Sequence, residues 1–176
     1  MSRLFERKGV QDLLEALRSG PLGVPVDIVG DGPMRARLET LARDVSDPVC
    51  FHGWLDPGSP ELRRLYAESA IFAFPSHAEN FPMCLLEAML AGMAVVASDI
   101  PPCREVLEET ALFAEVGNAA ALRTHLEALV NHPAQCAALG TAARQRVFDH
   151  FELGLVGDSY EKLLAAVAGT QRVARS

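Results

Sequence analysis

The sequence predicts an α/β protein: a doubly wound, Rossmann-like parallel sheet with helices on both faces. Three observations predict it. Short apolar runs alternate with stretches of helical periodicity along nearly all of the 176 residues, the order a βαβα fold requires. Those runs are unbroken rather than alternating, so both faces of each strand are covered. Three of them stop at Gly30, Gly53 or Pro75, residues that punctuate strands.

The elements follow in order. Val10–Arg18 is a helix with Leu13, Leu14 and Leu17 on one face. Val26–Val29 is a strand. Pro33–Arg43 is a helix, with Pro33 suited to its first turn. Val49–Phe51 is a strand, and Glu61–Glu68 a helix carrying Leu62, Leu65 and Tyr66. Ile71–Phe74 is a strand, Pro82–Ala91 a helix, Ala94–Ala97 a buried strand and Leu112–Ala114 a last strand. Helices over Ala119–Val130, Ala134–Asp149 and Gly154–Val167 close the pattern. One domain over 1–169 and a frayed polar tail over 170–176 are expected.

Composition narrows the function. Net charge is −7, and a nucleic-acid binder needs a basic face to replace phosphate counterions. Nucleic acid is therefore not an expected partner. The longest apolar run, Ala88 to Ala97, has ten residues, whereas a membrane span needs about 20. The opening Ser2–Lys8 is too charged for the apolar centre of a signal peptide. Cys50, Cys84, Cys103 and Cys136 form no CxxC pair, so no structural zinc is expected. Three of the four sit in apolar or helical contexts, which fits reduced thiols in a cytoplasmic setting.

In such a sheet, ligands bind at the carboxyl ends of the strands. Four loops lie there: Gly30–Pro33, His52–Gly58, Pro75–Pro82 and Ser98–Cys103. The Gly30-Asp31-Gly32-Pro33 turn lacks the third glycine of a dinucleotide fingerprint, since Arg35 holds that place. It reads either as a tight turn or as a backbone loop that a nucleotide can approach closely. Arg3 and Lys8, five residues apart and followed by Gly9, fit a diphosphate clamp or a solvated basic segment. Glu79 and Glu87 lie eight residues apart, one in a loop and one in the next helix. Glu87 sits among Leu85, Leu86, Ala88, Met89 and Leu90, where a carboxylate needs a hydrogen-bonding partner such as a ribose diol; equally, Glu87 reads as lying on the wet face of its helix with Glu79 capping the loop. The amides behind Pro82, at Met83 and Cys84, open a helix and can receive an anion.

Taken together, these pieces resemble the C-terminal, nucleotide-sugar-binding domain of GT-B glycosyltransferases of the family-four type. The pieces run in order: Ser2–Val10, Val29-Gly30-Asp31-Gly32-Pro33, Val49–Leu55, Phe74-Pro75-Ser76, the E-x7-E pair Glu79…Glu87 with Ala88–Gly92, Val95–Asp99, and Arg104-Glu105-Val106. The resemblance implies that Arg3 and Lys8 hold the donor diphosphate and that Glu79 is the catalytic carboxylate beside the sugar. Glu87 would bind ribose, and the amides of Phe81, Met83 and Cys84 would meet phosphate. Gly30, Gly32, Gly53 and Leu55 would line the base. It implies retaining transfer from a UDP-, GDP- or ADP-sugar to a sugar, lipid or other acceptor, with no metal and no cofactor. It also implies a cytoplasmic protein, free or peripheral at the inner membrane face.

Two departures carry expectations. Glu79-Asn80-Phe81-Pro82 replaces the family's Glu-Gly-Phe-Gly, and Pro82 removes one amide donor. The family's N-terminal acceptor domain has no counterpart in these residues, and the central first strand of the donor domain should lie before Ser2. A fragment or truncated reading frame is thus expected, recruiting a strand or self-associating. The alternative function is a non-catalytic nucleotide-sugar-binding module, inactive without an acceptor domain.

Overall fold

A computed structural model describes residues 3–151. The expected helix over 154–167 and tail over 170–176 lie outside the described residues. The chain divides into two compact units, residues 1–144 and 145–176. Residues 145–151 of the second are described, where Gln145 Nε2 donates to Asp149 Oδ1 at 2.9 Å. All else below concerns the first unit.

Helix α1 (Val10–Arg18) starts the regular structure, followed by β1 (Val26–Val29), α2 (Arg35–Ala42), β2 (Val49–Gly53) and α3 (Pro60–Glu68). Then come β3 (Ile71–Phe74), α4 (Met83–Leu90), β4 (Ala94–Ser98), α5 (Pro101–Leu107), β5 (Ala111–Ala114), α6 (Ala119–Asn131) and α7 (Pro133–His150). Local chemistry accounts for several boundaries. Ser59 Oγ accepts the Leu62 N–H at 3.2 Å, with Pro60 opening α3. Asn118 Oδ1 caps α6 through the Ala121 N–H at 2.9 Å.

Two sequence expectations are corrected here. Ser98–Cys103 is not all loop, because Pro101 and Pro102 open α5; proline's fixed φ is preorganised for a first turn. The helix expected from Pro33 begins at Arg35, and Pro33 stays in the preceding turn.

Every observed strand pair is parallel, as expected. The sheet comes in two pieces, β1-β2 and β3-β4-β5. All five residues of β4 are buried, so covering layers lie on both its faces. The core joins Leu13, Leu14 and Leu17 of α1 to Ile28, Leu38, Val96, Leu126 and Leu129. Each fully buried leucine contributes about 1.5–3 kcal/mol relative to exposure.

Two buried polar residues hold the approach to β1. Asp47 accepts the Leu22 and Gly23 N–H groups at 2.6 and 2.9 Å. Arg123 donates to the Gly20 and Pro21 carbonyls and to Glu127. On the β1–β2 surface, His52 Nε2 lies 2.6 Å from Asp27 Oδ1, and Nδ1 lies 3.2 Å from Glu61 Oε1. The Asp27 hydrogen bond, helped by Glu61, raises the His52 pKa above its ordinary value. A raised folded-state pKa stabilises fully below the unfolded value of about 6.5 and loses that stability as pH rises through the folded value. Urea titrations across that window should show stability falling with pH in the native sequence. In His52→Gln that slope should flatten; an unchanged slope would refute the assignment.

Candidate functional site

The segment before α1 crosses the carboxyl ends of β1 and β3. Leu4, 1% exposed, donates its N–H to the Asp31 carbonyl at 2.8 Å and accepts from the Met34 N–H at 3.0 Å. The Gly30–Pro33 turn therefore grips the segment from one side. A Cβ on Gly32 would stand 2.8 Å from both the N and the O of Leu4, so glycine is needed there for close approach. Next comes a 3₁₀ turn, Glu6–Lys8, closed by Gly9 at φ 67°, a left-handed conformation that favours glycine. A Cβ on Gly9 would collide with the Pro75 carbonyl oxygen. The His77 N–H donates to the Arg7 carbonyl at 2.7 Å. The segment and the loop after β3 are thus locked backbone to backbone.

That lock places Lys8 against Glu79. Lys8 Nζ lies 2.6 Å from Glu79 Oε1, with side-chain exposures of 15% and 9%. Ser76, fully buried, sets its Oγ 2.6 Å from the same carboxylate oxygen and 3.2 Å from the Arg7 carbonyl. Its one hydroxyl proton goes to one acceptor at a time. His77 Nε2, 2.6 Å from Asp12 Oδ2, ties the loop to α1. Ser76, His77 and Asp12 were not candidates from the sequence. Ser76 lay inside a quoted motif, but nothing in its spacing revealed that its hydroxyl would be buried against Glu79.

The other candidates fall around this pair unevenly. Gly30 donates its N–H to the Gly53 carbonyl at 2.7 Å, which brings two expected base-side glycines together. Leu55 is half-buried and the neighbouring Trp54 exposed. Phe81 and Met83 are exposed. The Met83 N–H is taken by the Phe81 carbonyl at 3.1 Å. Of the two amides behind Pro82, that of Cys84 is left without a partner among the described residues. Arg3 is exposed, and among the described residues no hydrogen bond or ion pair ties it to Lys8 or Glu79.

Of the two readings of Glu87, the structure bears out the wet face: it is exposed, not embedded among its apolar sequence neighbours. Leu85, Ala88 and Met89 form the buried face of α4; Glu87, two positions from Leu85 and from Met89, points the opposite way at about 100° per residue. Its Oε2 accepts the Tyr66 hydroxyl at 2.8 Å. Burial, and then the Glu87 carboxylate, push the Tyr66 hydroxyl pKa up, so it remains a donor.

The cysteines supply no nucleophile at this site. Burial raises the Cys84 pKa and pushes that of Cys103 up to about 12, Glu79's charge adding to both. Burial also raises Cys136, and Cys50 is exposed. Timed alkylation with iodoacetamide should therefore modify Cys50 at least about tenfold faster than the other three, since the thiolate is the reactive form. Equal rates would contradict this. Among the described residues one group has metal-ligand chemistry: Asp27, Cys50 and His52, with ligand atoms within 4.8 Å of one another. Both His52 ring nitrogens are already engaged by Asp27 and Glu61.

On the β4 side, Arg104 grips Asp99 with two bonds of 2.6 and 2.8 Å and lies 3.9 Å above the Phe113 ring. Among the described residues no helix is long and apolar enough to cross a membrane.

Parallel strands that deliver their loops to one edge define a Rossmann-like domain. A sucrose-phosphate synthase from Thermosynechococcus elongatus superposes with a TM-score of 0.80 at 28% identity, over 94% of this chain and 45% of that one. Anabaena Alr3699/HepE, solved in complex with UDP, superposes with a TM-score of 0.81 at 23% identity, over 94% and 47%. The chain belongs to the family of glycosyl transferases group 1, whose model matches residues 1–146. The lipopolysaccharide core biosynthesis glycosyltransferase LpsE of Rhizobium meliloti is 31% identical over 94% of this chain and 48% of its own length. A GDP-mannose-dependent mannosyltransferase of Corynebacterium glutamicum is 30% identical over 93% and 45%. The chain thus spans about half the length of the relatives it matches.

Proposed function

We propose that residues 1–169 are the donor-binding domain of a retaining glycosyltransferase that works without a metal. The observation that carries this reading is the Lys8–Glu79 pair, set by Gly9 and Ser76 at the carboxyl ends of β1 and β3. A nucleoside-diphosphate sugar brings two phosphates and a ribose diol to that edge. Lys8 has three N–H donors and commits one to Glu79, which leaves two for diphosphate oxygens. Arg3 and the Cys84 amide add further donors, and Met83 and Phe81 flank them. Such fixed positive charge stabilises the leaving diphosphate as the bond from sugar C1 to the β-phosphate oxygen breaks. The new C1–O bond to the acceptor hydroxyl forms on the same face, which is retention, and the hydroxyl proton passes to the departing diphosphate oxygen. Glu79 stands at the sugar, Glu87 accepts hydrogen bonds from the ribose hydroxyls in place of the one from the Tyr66 hydroxyl, and Gly30, Gly32, Gly53 and Leu55 line the base.

The alternative reading is a nucleotide-sugar-binding module without transfer. Transfer needs donor and acceptor held together, so the acceptor side of the reaction is part of the proposal. The first test is thermal denaturation with UDP, GDP and ADP. A ligand at 100 times its Kd stabilises the native state by about 2.7 kcal/mol, a Tm rise of roughly 5–10 °C at this size. One of the three should give it. No rise with any of them would refute donor binding, and binding without sugar release or transfer would favour the module.

A further inference from the structure

Asp27 of β1 and Cys50 of β2 are register partners in their parallel pair. His52 lies two residues beyond Cys50, and residues two apart on a strand point to the same face. The three side chains therefore meet on one face of the β1–β2 piece. A carboxylate oxygen, a sulfur and an imidazole nitrogen lie within 4.8 Å of one another there. Asp27 and Cys50 are exposed and His52 is half-buried, so an ion can enter from solvent. No short spacing signals the cluster, since Asp27 and His52 are separated by 25 positions.

The imidazole stands between two carboxylates. Asp27 Oδ1 lies 2.6 Å from Nε2, and Glu61 Oε1 lies 3.2 Å from Nδ1. A neutral imidazole has one N–H and one lone pair. It donates to one carboxylate and turns its lone pair on an oxygen lone pair of the other. A second proton relieves that conflict, and so does a metal ion seated between Nε2 and Asp27. Glu61 then keeps the Nδ1–H, which is how a carboxylate orients a metal-bound histidine. The donor set suits zinc, which takes thiolate, imidazole and carboxylate ligands at about 2.0–2.3 Å. Tetrahedral angles at such bonds set the donor atoms about 3.3–3.6 Å apart. His52 Nε2 and Asp27 Oδ1 part by roughly 0.7 Å to reach that spacing, and the sulfur moves inward. Side-chain rotation supplies both shifts.

We propose that Asp27, Cys50 and His52 bind one zinc ion, with water in the fourth position and Glu61 orienting His52. Cys50 releases its thiol proton to solvent as the ion binds. The ion ties β1 to β2 just before Gly30 and Gly53, whose own hydrogen bond joins the strand ends. It thus clips the two-stranded piece of the sheet. The ligands belong to β1 and β2, not to the segment and loop that carry Lys8 and Glu79. The inference is therefore independent of donor binding and places no ion at the diphosphate.

Cobalt is the first probe. Tag-free protein, at mildly alkaline pH where protons compete least for the ligands, is titrated with Co²⁺ and then with Zn²⁺. One equivalent of Co²⁺ should produce a thiolate-to-cobalt charge-transfer band and the visible bands of tetrahedral cobalt. Zn²⁺ should bleach both. Cys50→Ser should lose the charge-transfer band. Asp27→Asn and His52→Gln should each weaken Co²⁺ binding by more than about tenfold, and Glu61→Gln by about tenfold with the band retained. Circular dichroism checks that each variant is folded. The unaltered chain gives a second readout: Zn²⁺ should slow iodoacetamide modification of Cys50 by at least about tenfold, with the site located by peptide mass. Absence of the charge-transfer band would overturn the proposal, as would its survival in Cys50→Ser. So would binding indifferent to Asp27→Asn and His52→Gln, or alkylation of Cys50 undiminished by Zn²⁺.

Discussion

Lys8→Ala is expected to remove about half or more of the thermal stabilisation by nucleoside diphosphate while also lowering the stability of the unliganded chain. The two effects have different causes. Charge-assisted hydrogen bonds contribute about 1.5–3 kcal/mol each, so losing Lys8 weakens diphosphate binding by roughly 10–150-fold. Loss of the ammonium also strands Glu79, whose side chain is only 9% exposed, with Ser76 as its remaining partner. A carboxylate left buried without its cation is costly. Glu79→Gln in the Lys8→Ala background removes that charge while the Ser76 contact can persist. The double variant should recover most of the unliganded Tm and none of the nucleotide affinity. If it recovers both, Lys8 serves only to neutralise Glu79 and is not a diphosphate ligand. Calorimetric titration with the responding nucleotide, alongside denaturation of the unliganded proteins, separates these outcomes.

Gly9→Ala is expected to be among the most damaging single-methyl changes in the chain. Two costs add at that position. The left-handed φ of 67° costs an L-residue roughly 1–2 kcal/mol. The added Cβ also meets the Pro75 carbonyl oxygen, backbone that can only yield by separating the Lys8 segment from the loop bearing Glu79. A total above about 3 kcal/mol is expected, within the class of strained-backbone and overpacking changes. Gly23 supplies the comparison: its φ is 77°, and nothing lies within 4 Å of its would-be Cβ. Gly23→Ala should show the conformational cost alone. Urea denaturation of the two variants therefore isolates the collision, and equal losses would show that the Gly9–Pro75 contact is unimportant. The expected difference also has a functional readout, since Gly9→Ala moves Lys8 away from Glu79 and should weaken nucleotide binding.

How much of this was legible in the residues depends on distance along the chain. Helices α1 and α3 announced themselves because apolar periodicity acts within a turn or two. Strands β3, β4 and β5 were legible as unbroken apolar runs, and β4 is buried throughout; β1 carries an exposed Asp27 and β2 an exposed Cys50, so the expectation of two covered faces does not hold for every strand. Helix α5 was missed because seven residues beginning Pro-Pro read as a loop until the helix is there to use them. The residues left Glu87 between an embedded and a wet position, because apolar sequence neighbours need not be spatial neighbours; helical geometry sends Leu85 and Met89 inward and Glu87 out.

The site divides along the same line. Lys8, Glu79, Gly9 and the glycines at 30, 32 and 53 were singled out by residue type and spacing within motifs. Their assembly was not readable, since Lys8 and Glu79 are separated by 71 positions. Ser76 carried no periodic or spacing signal, and its hydroxyl matters only because folding buries it beside a carboxylate. Residue type and local period determined by themselves the α/β class, the strands and the family motifs. Tertiary structure alone decided that Lys8 meets Glu79 and that Glu87 meets Tyr66. The physical reason is that helical period, capping and turn chemistry act within a few residues. Ion pairing, burial and strand adjacency depend on where distant segments come to lie.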